Sequence, residues 1–336
     1  MSSLIWKLGI NELIILRLSN WNLKSGHHMI SILFGAGASF GSEKRRATPP
    51  LGDALFNALD ALGGAYSKLS NIQKASFRKN GFEIGMLSIP NNSTIINPLQ
   101  KELAIYLSSF SISKDNAYRQ LFKTLGNKTK KLNIMSLNYD LLIEKSLSHV
   151  GDGFLRYGVF DNETSILKVH GSSNFTPATD GFMGSVSIID CDSFVNSGGI
   201  RVLKSHEEIK EWCNLPQNQV LSPVMCMYNK EKREVINKNN LKSFKDEYNK
   251  AILASNLIII VGVKYIPHDN HIWDNVMSSN TKLIIVDPYP SKLLLNILKE
   301  RKTKATLIKK SFYDSTTELS QIIKSELKQR QNLTSN

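Results

Sequence analysis

Six short apolar runs constrain this chain more than any other feature of its sequence. They are Ile30 to Phe34, Leu132 to Leu137, Ile166 to Val169, Leu257 to Val263, Leu283 to Val286 and Ala305 to Ile308. Each has the length of a strand rather than a helix, and none shows the polar alternation of a half-exposed strand. They read as strands covered on both faces. Between them, apolar residues recur with a helical period over Asp53 to Leu62, Leu99 to Phe110, Ala117 to Leu125, Leu141 to His149 and Lys242 to Ala254. Buried strands that alternate with helices pair in parallel, because a parallel connection needs a crossover long enough to contain a helix. The predicted class is α/β: a Rossmann-like parallel sheet flanked by helices, with ligands at the carboxyl ends of the strands.

The first two runs lie roughly 100 residues apart, too far for one crossover helix. A helical inserted subdomain is therefore expected over about 49–131, within a main domain of 29–312. Residues 313–336 read as a C-terminal helix and tail, with Ser315 and Glu318 as its capping box and Leu319, Ile322, Ile323 and Leu327 on one face. Residues 1–28 read as an N-terminal extension. Their apolar segment Leu13-Ile14-Ile15-Leu16 is interrupted on either side by Lys7, Glu12 and Arg17, which argues against a secretion signal. No apolar run approaches the ~20 residues a bilayer requires, so no membrane association is expected. Cys191, Cys213 and Cys226 are odd in number and form no Cys-x-x-Cys hook. That spacing argues against a disulfide framework and a four-thiolate zinc site, and for a cytoplasmic protein without zinc.

The net charge is +13, with basic residues gathered over Lys230 to Lys250 and Lys299 to Lys310. Glu231, Glu234, Asp246 and Glu247 interrupt the first cluster, as on a solvated helix face. No aromatic residues alternate with the basic ones to make a stacking platform, so any contact with nucleic acid is expected to be indirect.

Three loops leave the ends of predicted strands. Gly35-Ala36-Gly37-Ala38-Ser39 follows the first, and such a turn lets backbone N–H groups approach a pyrophosphate. With Gly41, the spacing also approaches a dehydrogenase fingerprint. That fingerprint needs an acidic residue ending a second strand about 20 residues on, whereas Asp53 and Asp60 lie in a helical pattern. Ser136-Leu137-Asn138-Tyr139-Asp140 follows the second strand, and Val169-His170-Gly171-Ser172 the third. Asp140 also suits an N-cap of the helix beginning at Leu141, with Glu144 in its first turn. His27, His28, His149, His206, His268 and His271 have no metal-ligand partners at convincing spacing.

Gly-Ala-Gly-x-Ser, Asn-x-Asp and His-Gly in this order resemble the sirtuin family, and most closely its NAD-hydrolysing branch in prokaryotic antiviral defence. The likeness runs from about Ile30 to Val286. It takes in Leu51-Gly52 after Pro49-Pro50, Leu221-Ser222-Pro223 with Lys230, Ile260-Val261-Gly262 with Pro267-x-Asp269-x-His271, and Asp287.

The resemblance implies that 29–312 is an NAD-binding catalytic domain. Gly35, Ala36 and Gly37 would hold the pyrophosphate, Ser39 would lie near the nicotinamide ribose and Asp140 would hold the carboxamide. Gly262 and Asp287 would line the adenosine end. Asn138 would position the ribose or a reacting water, with His170 as general base. Deacetylases of the family carry two Cys-x-x-Cys pairs after His-Gly and a Thr-Ser pair after the late glycine; this chain has neither, with Val263 and Lys264 at the latter position. Both departures favour NAD hydrolysis over an NAD-dependent protein deacylase or ADP-ribosyltransferase, and a non-catalytic NAD or ADP-ribose sensor is the third alternative. The resemblance also implies an abortive-infection effector that depletes NAD. Little sequence outside the core remains for a sensor, so control is expected from a homo-oligomer or a partner such as a HerA-type ATPase or an Argonaute-type protein.

Overall fold

The computed structural model describes residues 29–150, 155–158, 164–181, 188–189, 195–226, 236–267, 269–301, 303 and 305–334. The N-terminal extension, Cys191, Lys230 and His268 lie outside these residues.

The chain opens with β1 (Met29–Phe34), α1 (Ala36–Phe40), α2 (Gly52–Ala61), α3 (Asn71–Leu87), α4 (Ser93–Ser108) and α5 (Ala117–Leu125). It continues with β2 (Leu132–Ser136), α6 (Leu142–Leu147), β3 (Arg156–Tyr157), β4 (Ser165–Lys168), β5 (Phe175–Pro177), β6 (Ile200–Val202), α7 (His206–Asn214) and α8 (Lys238–Ala254). The last part is β7 (Ser255–Val261), α9 (Asn270–Ser278), β8 (Lys282–Val286), α10 (Lys292–Glu300), β9 (Ala305–Ile308) and α11 (Phe312–Thr334).

Seven strands form one sheet in the order β3-β4-β2-β1-β7-β8-β9. Every pair in it is parallel, with Ile32 of β1 beside Ile134 of β2 on one side and Ile259 of β7 on the other. The fold is α/β and Rossmann-like. All six apolar runs became strands of this sheet, and Ile30, Ile32, Leu33, Phe34 and Leu257 to Val261 have no exposed surface. From β1 the chain steps outward through β2 to β4. It then returns to place β7 on the other flank of β1 and steps outward again through β8 to β9. The direction of winding reverses between β1 and β7, and a doubly wound sheet opens its ligand crevice at such a point.

The long interval after β1 is helical. Phe56 of α2 stacks on Phe77 of α3 with ring centres 4.4 Å apart, and Tyr66 and Phe82 close the cluster. α5 lies over the sheet, where Tyr118 and Phe312 pack edge-on or tilted against Phe34. The final helix begins three residues before the expected cap. Ser311 Oγ accepts from the Asp314 amide at 3.1 Å and donates to its carboxylate at 2.7 Å. Ser315 is buried in the first turn and donates to the Phe312 carbonyl, and Glu318 pairs with Lys310 instead. Among the described residues no helix is long and apolar enough to cross a membrane.

Candidate functional site

β1 ends at Phe34, and its chain turns at Gly35 directly into α1. Gly35 N–H donates to the Val261 carbonyl and Gly37 N–H to the Gly262 carbonyl, both at 2.9 Å. A Cβ on Gly35 would lie 2.6 Å from the Gly262 oxygen, and one on Gly262 only 2.2 Å from the Ala38 nitrogen. Gly262 also has φ +61°, which a side chain disfavours. The glycines at 35 and 262 are thus required by two loops meeting backbone to backbone at the reversal point, and a Cβ at Gly37 would be tight, 3.0 Å from the Gly262 oxygen. The amides of Gly35 and Gly37 are engaged by the β7 loop; that of the exposed Ala36 carries no such bond among the described residues.

The β2–α6 loop is tied to this turn by Asn138. Its backbone N–H donates to Ser136 Oγ at 3.0 Å, and its Nδ2 donates to the Gly35 carbonyl at 2.8 Å and Ser39 Oγ at 2.9 Å. Both amide hydrogens are spent. Oδ1 is the side-chain atom with capacity left for a water or a sugar hydroxyl. Ser39 Oγ lies 3.1 Å from Tyr118 Oη, and burial holds that phenol far above its ordinary pKa, so it stays protonated. Asp140 does not take the expected N-cap position: α6 begins one residue later with Leu141 as its N-cap, and Asp140 Oδ1 closes a local turn by accepting from the Leu142 amide at 3.1 Å.

His170 follows β4 and is clamped from below. Its carbonyl accepts from the Cys226 amide at 2.8 Å, and the Ser172 amide donates to the Val224 carbonyl at 3.1 Å. Gly171 has φ +81°, and a Cβ there would lie 2.0 Å from the Val224 oxygen. The Leu221-Ser222-Pro223 segment therefore leads into the strip that backs His170. The Ser173 amide donates to the Tyr139 carbonyl at 3.1 Å, joining the His-Gly loop to the Asn138 loop.

Sequence reasoning missed two residues here. His271, in the first turn of α9, brings its Nε2 to 3.0 Å from the Nε2 of His170. The only signal for it was the Pro267-x-Asp269-x-His271 spacing. Lys168 has no exposed side-chain surface, and its Nζ donates to the Asp140 carbonyl at 2.7 Å and lies 3.1 Å from Glu144 Oε1. A lysine inside the apolar run Ile166-Leu167-Lys168-Val169 was the signal. Glu144 lies in the first turn of α6 as expected, and it is also buried against Lys168.

The sheet order sets the loops after β4, β2, β1 and β7 side by side, so His170, Asn138, Gly35 and Gly262 form one row. Asp287 follows β8, one strand further along, where its Oδ1 accepts from the Tyr289 amide at 2.8 Å. A cleft of about 630 Å³ between α10 and β9, lined by Leu295, Leu298 and Leu307, shares no residue with this row. Its Arg301 is spent on the Val276, Ser279 and Thr281 carbonyls. The row, with its polar groups converging at the winding reversal, is the better candidate site.

No protein-family model matches this chain, and no curated protein matches it in sequence.

Proposed function

We propose that this chain hydrolyses NAD to nicotinamide and ADP-ribose, as an NAD-depleting defence effector. The observation that carries the reading is the pair of hydrogen bonds that Asn138 Nδ2 donates to the Gly35 carbonyl and Ser39 Oγ, on the loop next to that of His170 at the winding reversal of the sheet. In NAD, the nicotinamide on C1′ is a cationic leaving group. When the C1′–N bond breaks, its electron pair neutralises the ring and leaves an oxocarbenium-like sugar. A water oriented by Asn138 Oδ1 bonds to C1′ and gives its proton to His170. Fixing the ribose and that water lowers the barrier by positioning, and a placed general base adds roughly 10²–10⁴ in rate. Asp287 would take the adenosine ribose.

The test is to incubate pure protein, dilute and concentrated, with NAD and resolve nicotinamide, ADP-ribose and cyclic products. Nicotinamide and linear ADP-ribose are expected. Asn138→Ala and His170→Ala should each abolish turnover while keeping a cooperative melting transition. Near-wild-type turnover in either variant overturns the mechanism, and nicotinamide release that depends on an acylated peptide selects a deacylase instead.

A further inference from the structure

We infer that His271 shares a proton with His170 and is a positioning residue for the chemistry, an inference that rests on the NAD-cleaving reading above. Two imidazole nitrogens 3.0 Å apart are at hydrogen-bond distance, which requires one to donate and the other to accept. One proton therefore lies between the rings, whose centres are 5.3 Å apart and whose planes are tilted by 40°. The partners come from opposite sides of the reversal point. His170 follows β4 and His271 follows β7, with β2 and β1 between them. At about 4.8 Å per strand the two loops span roughly 14 Å of sheet edge, and the pair bridges the ends of the strands that carry Asn138 and Gly35.

His170 is buried, with 5% of its surface exposed, and its backbone is clamped by Cys226 and by Gly171. His271 is half-buried on the first turn of α9. His170 is thus the fixed ring and His271 the partner that sets its tautomer. A proton that His170 takes up from the water can pass along the shared hydrogen bond to His271 Nε2. The water loses one proton, the pair gains one, and the positive charge is carried by the two rings together. His271 then returns that proton to solvent after the products leave.

The experiment compares wild type, His271→Ala and His271→Gln. The first readouts are NAD turnover against pH and NAD affinity by calorimetry. The structural readout is the nitrogen–nitrogen scalar coupling across the hydrogen bond in protein with ¹⁵N-labelled histidine. Turnover should fall about 10²-fold in both variants, the scale of one general acid–base contribution. Affinity should stay within about threefold, the limb of the pH–rate profile should move, and added imidazole should partly restore His271→Ala. Wild-type turnover with an unmoved pH profile in either variant overturns the inference, as does loss of NAD affinity in step with turnover. If wild type cleaves no NAD, the hydrolase reading fails by itself. The coupling then decides the pair: its presence in wild type and loss in His271→Gln upholds the shared proton, and its absence overturns it.

Discussion

Burying Lys168 against Glu144 takes two charges out of water, and their mutual attraction offsets that cost only where hydrogen-bond geometry is good. Here it is not. Oε1 of Glu144 is 3.1 Å from Lys168 Nζ, yet neither carboxylate oxygen has an aligned hydrogen bond among the described residues. Burial pushes the Glu144 carboxyl above its ordinary 4.5, with Lys168 pulling against the rise. Lys168 still bonds the Asp140 carbonyl, so the pair fixes the loop that carries Asn138. Lys168→Met should therefore destabilise the fold by about 3–5 kcal/mol, as expected when one partner of a buried pair is removed. Lys168→Met combined with Glu144→Leu should recover most of that loss. Denaturant titration of the four chains reads the coupling directly, and additive single effects would refute it. The pH dependence has a definite sign. A raised folded pKa means the native state holds the proton to higher pH than the unfolded chain. The contribution is full below 4.5 and lost as pH rises through the folded value. The stability of wild type relative to Glu144→Gln should fall with pH across that window; a difference that rises would contradict the assignment.

At the scale of elements, the two loops that meet at the reversal point make a sharper demand than any helix. Gly262→Ala must place a methyl group 2.2 Å from the Ala38 nitrogen with the backbone at φ +61°. Gly63 has a similar φ of +75° and nothing within 4 Å of a Cβ, which makes Gly63→Ala the control. Gly63→Ala should cost about 1–2 kcal/mol from conformation alone. Gly262→Ala should cost clearly more, at least ~2 kcal/mol beyond that, because strain and a backbone clash add. Equal losses in thermal or denaturant unfolding would show that the loops tolerate separation. What the sequence made legible follows from the same physics. A strand buried on both faces is a continuous apolar run, so five strands of the main sheet could be read this way; β9 was expected to be covered likewise but lies at the sheet edge with Thr306 exposed. β3, β5 and β6 are two or three residues long and exist only through their partners, as when Phe175 pairs with Val202. α3 was hidden because Gly81 breaks its helical phase at φ 84°. Loops at strand ends placed Asn138 and His170 correctly along the sheet edge, since that position depends on local order. His271 and Lys168 could not be assigned roles, because contacts across 101 and 28 residues have no local periodicity.

For the whole molecule, the proposed activity carries a constraint of its own. An NAD hydrolase that ran unchecked would exhaust the dinucleotide of its own cell, so turnover must depend on something besides substrate. The Gly35 and Gly37 amides are engaged by the Val261 and Gly262 carbonyls. A dinucleotide pyrophosphate placed over that turn has to compete with these contacts, and a small shift at Gly262 would release the Gly37 amide. Packing another subunit or a partner against the molecule is one way to stabilise such a shift, because anything that binds the shifted state better draws the population toward it. A ratio of 1:99 needs about 5.5 kcal/mol of differential binding to reach 99:1, which an ordinary protein interface can supply. The expected outcome is that turnover per chain is low in dilute monomer and rises steeply with concentration or on adding a partner. Measuring NAD cleavage and particle mass on the same dilution series checks this. Full turnover per chain in a strictly monomeric, partner-free sample would refute control by assembly and leave the loop contacts as features of the resting fold alone.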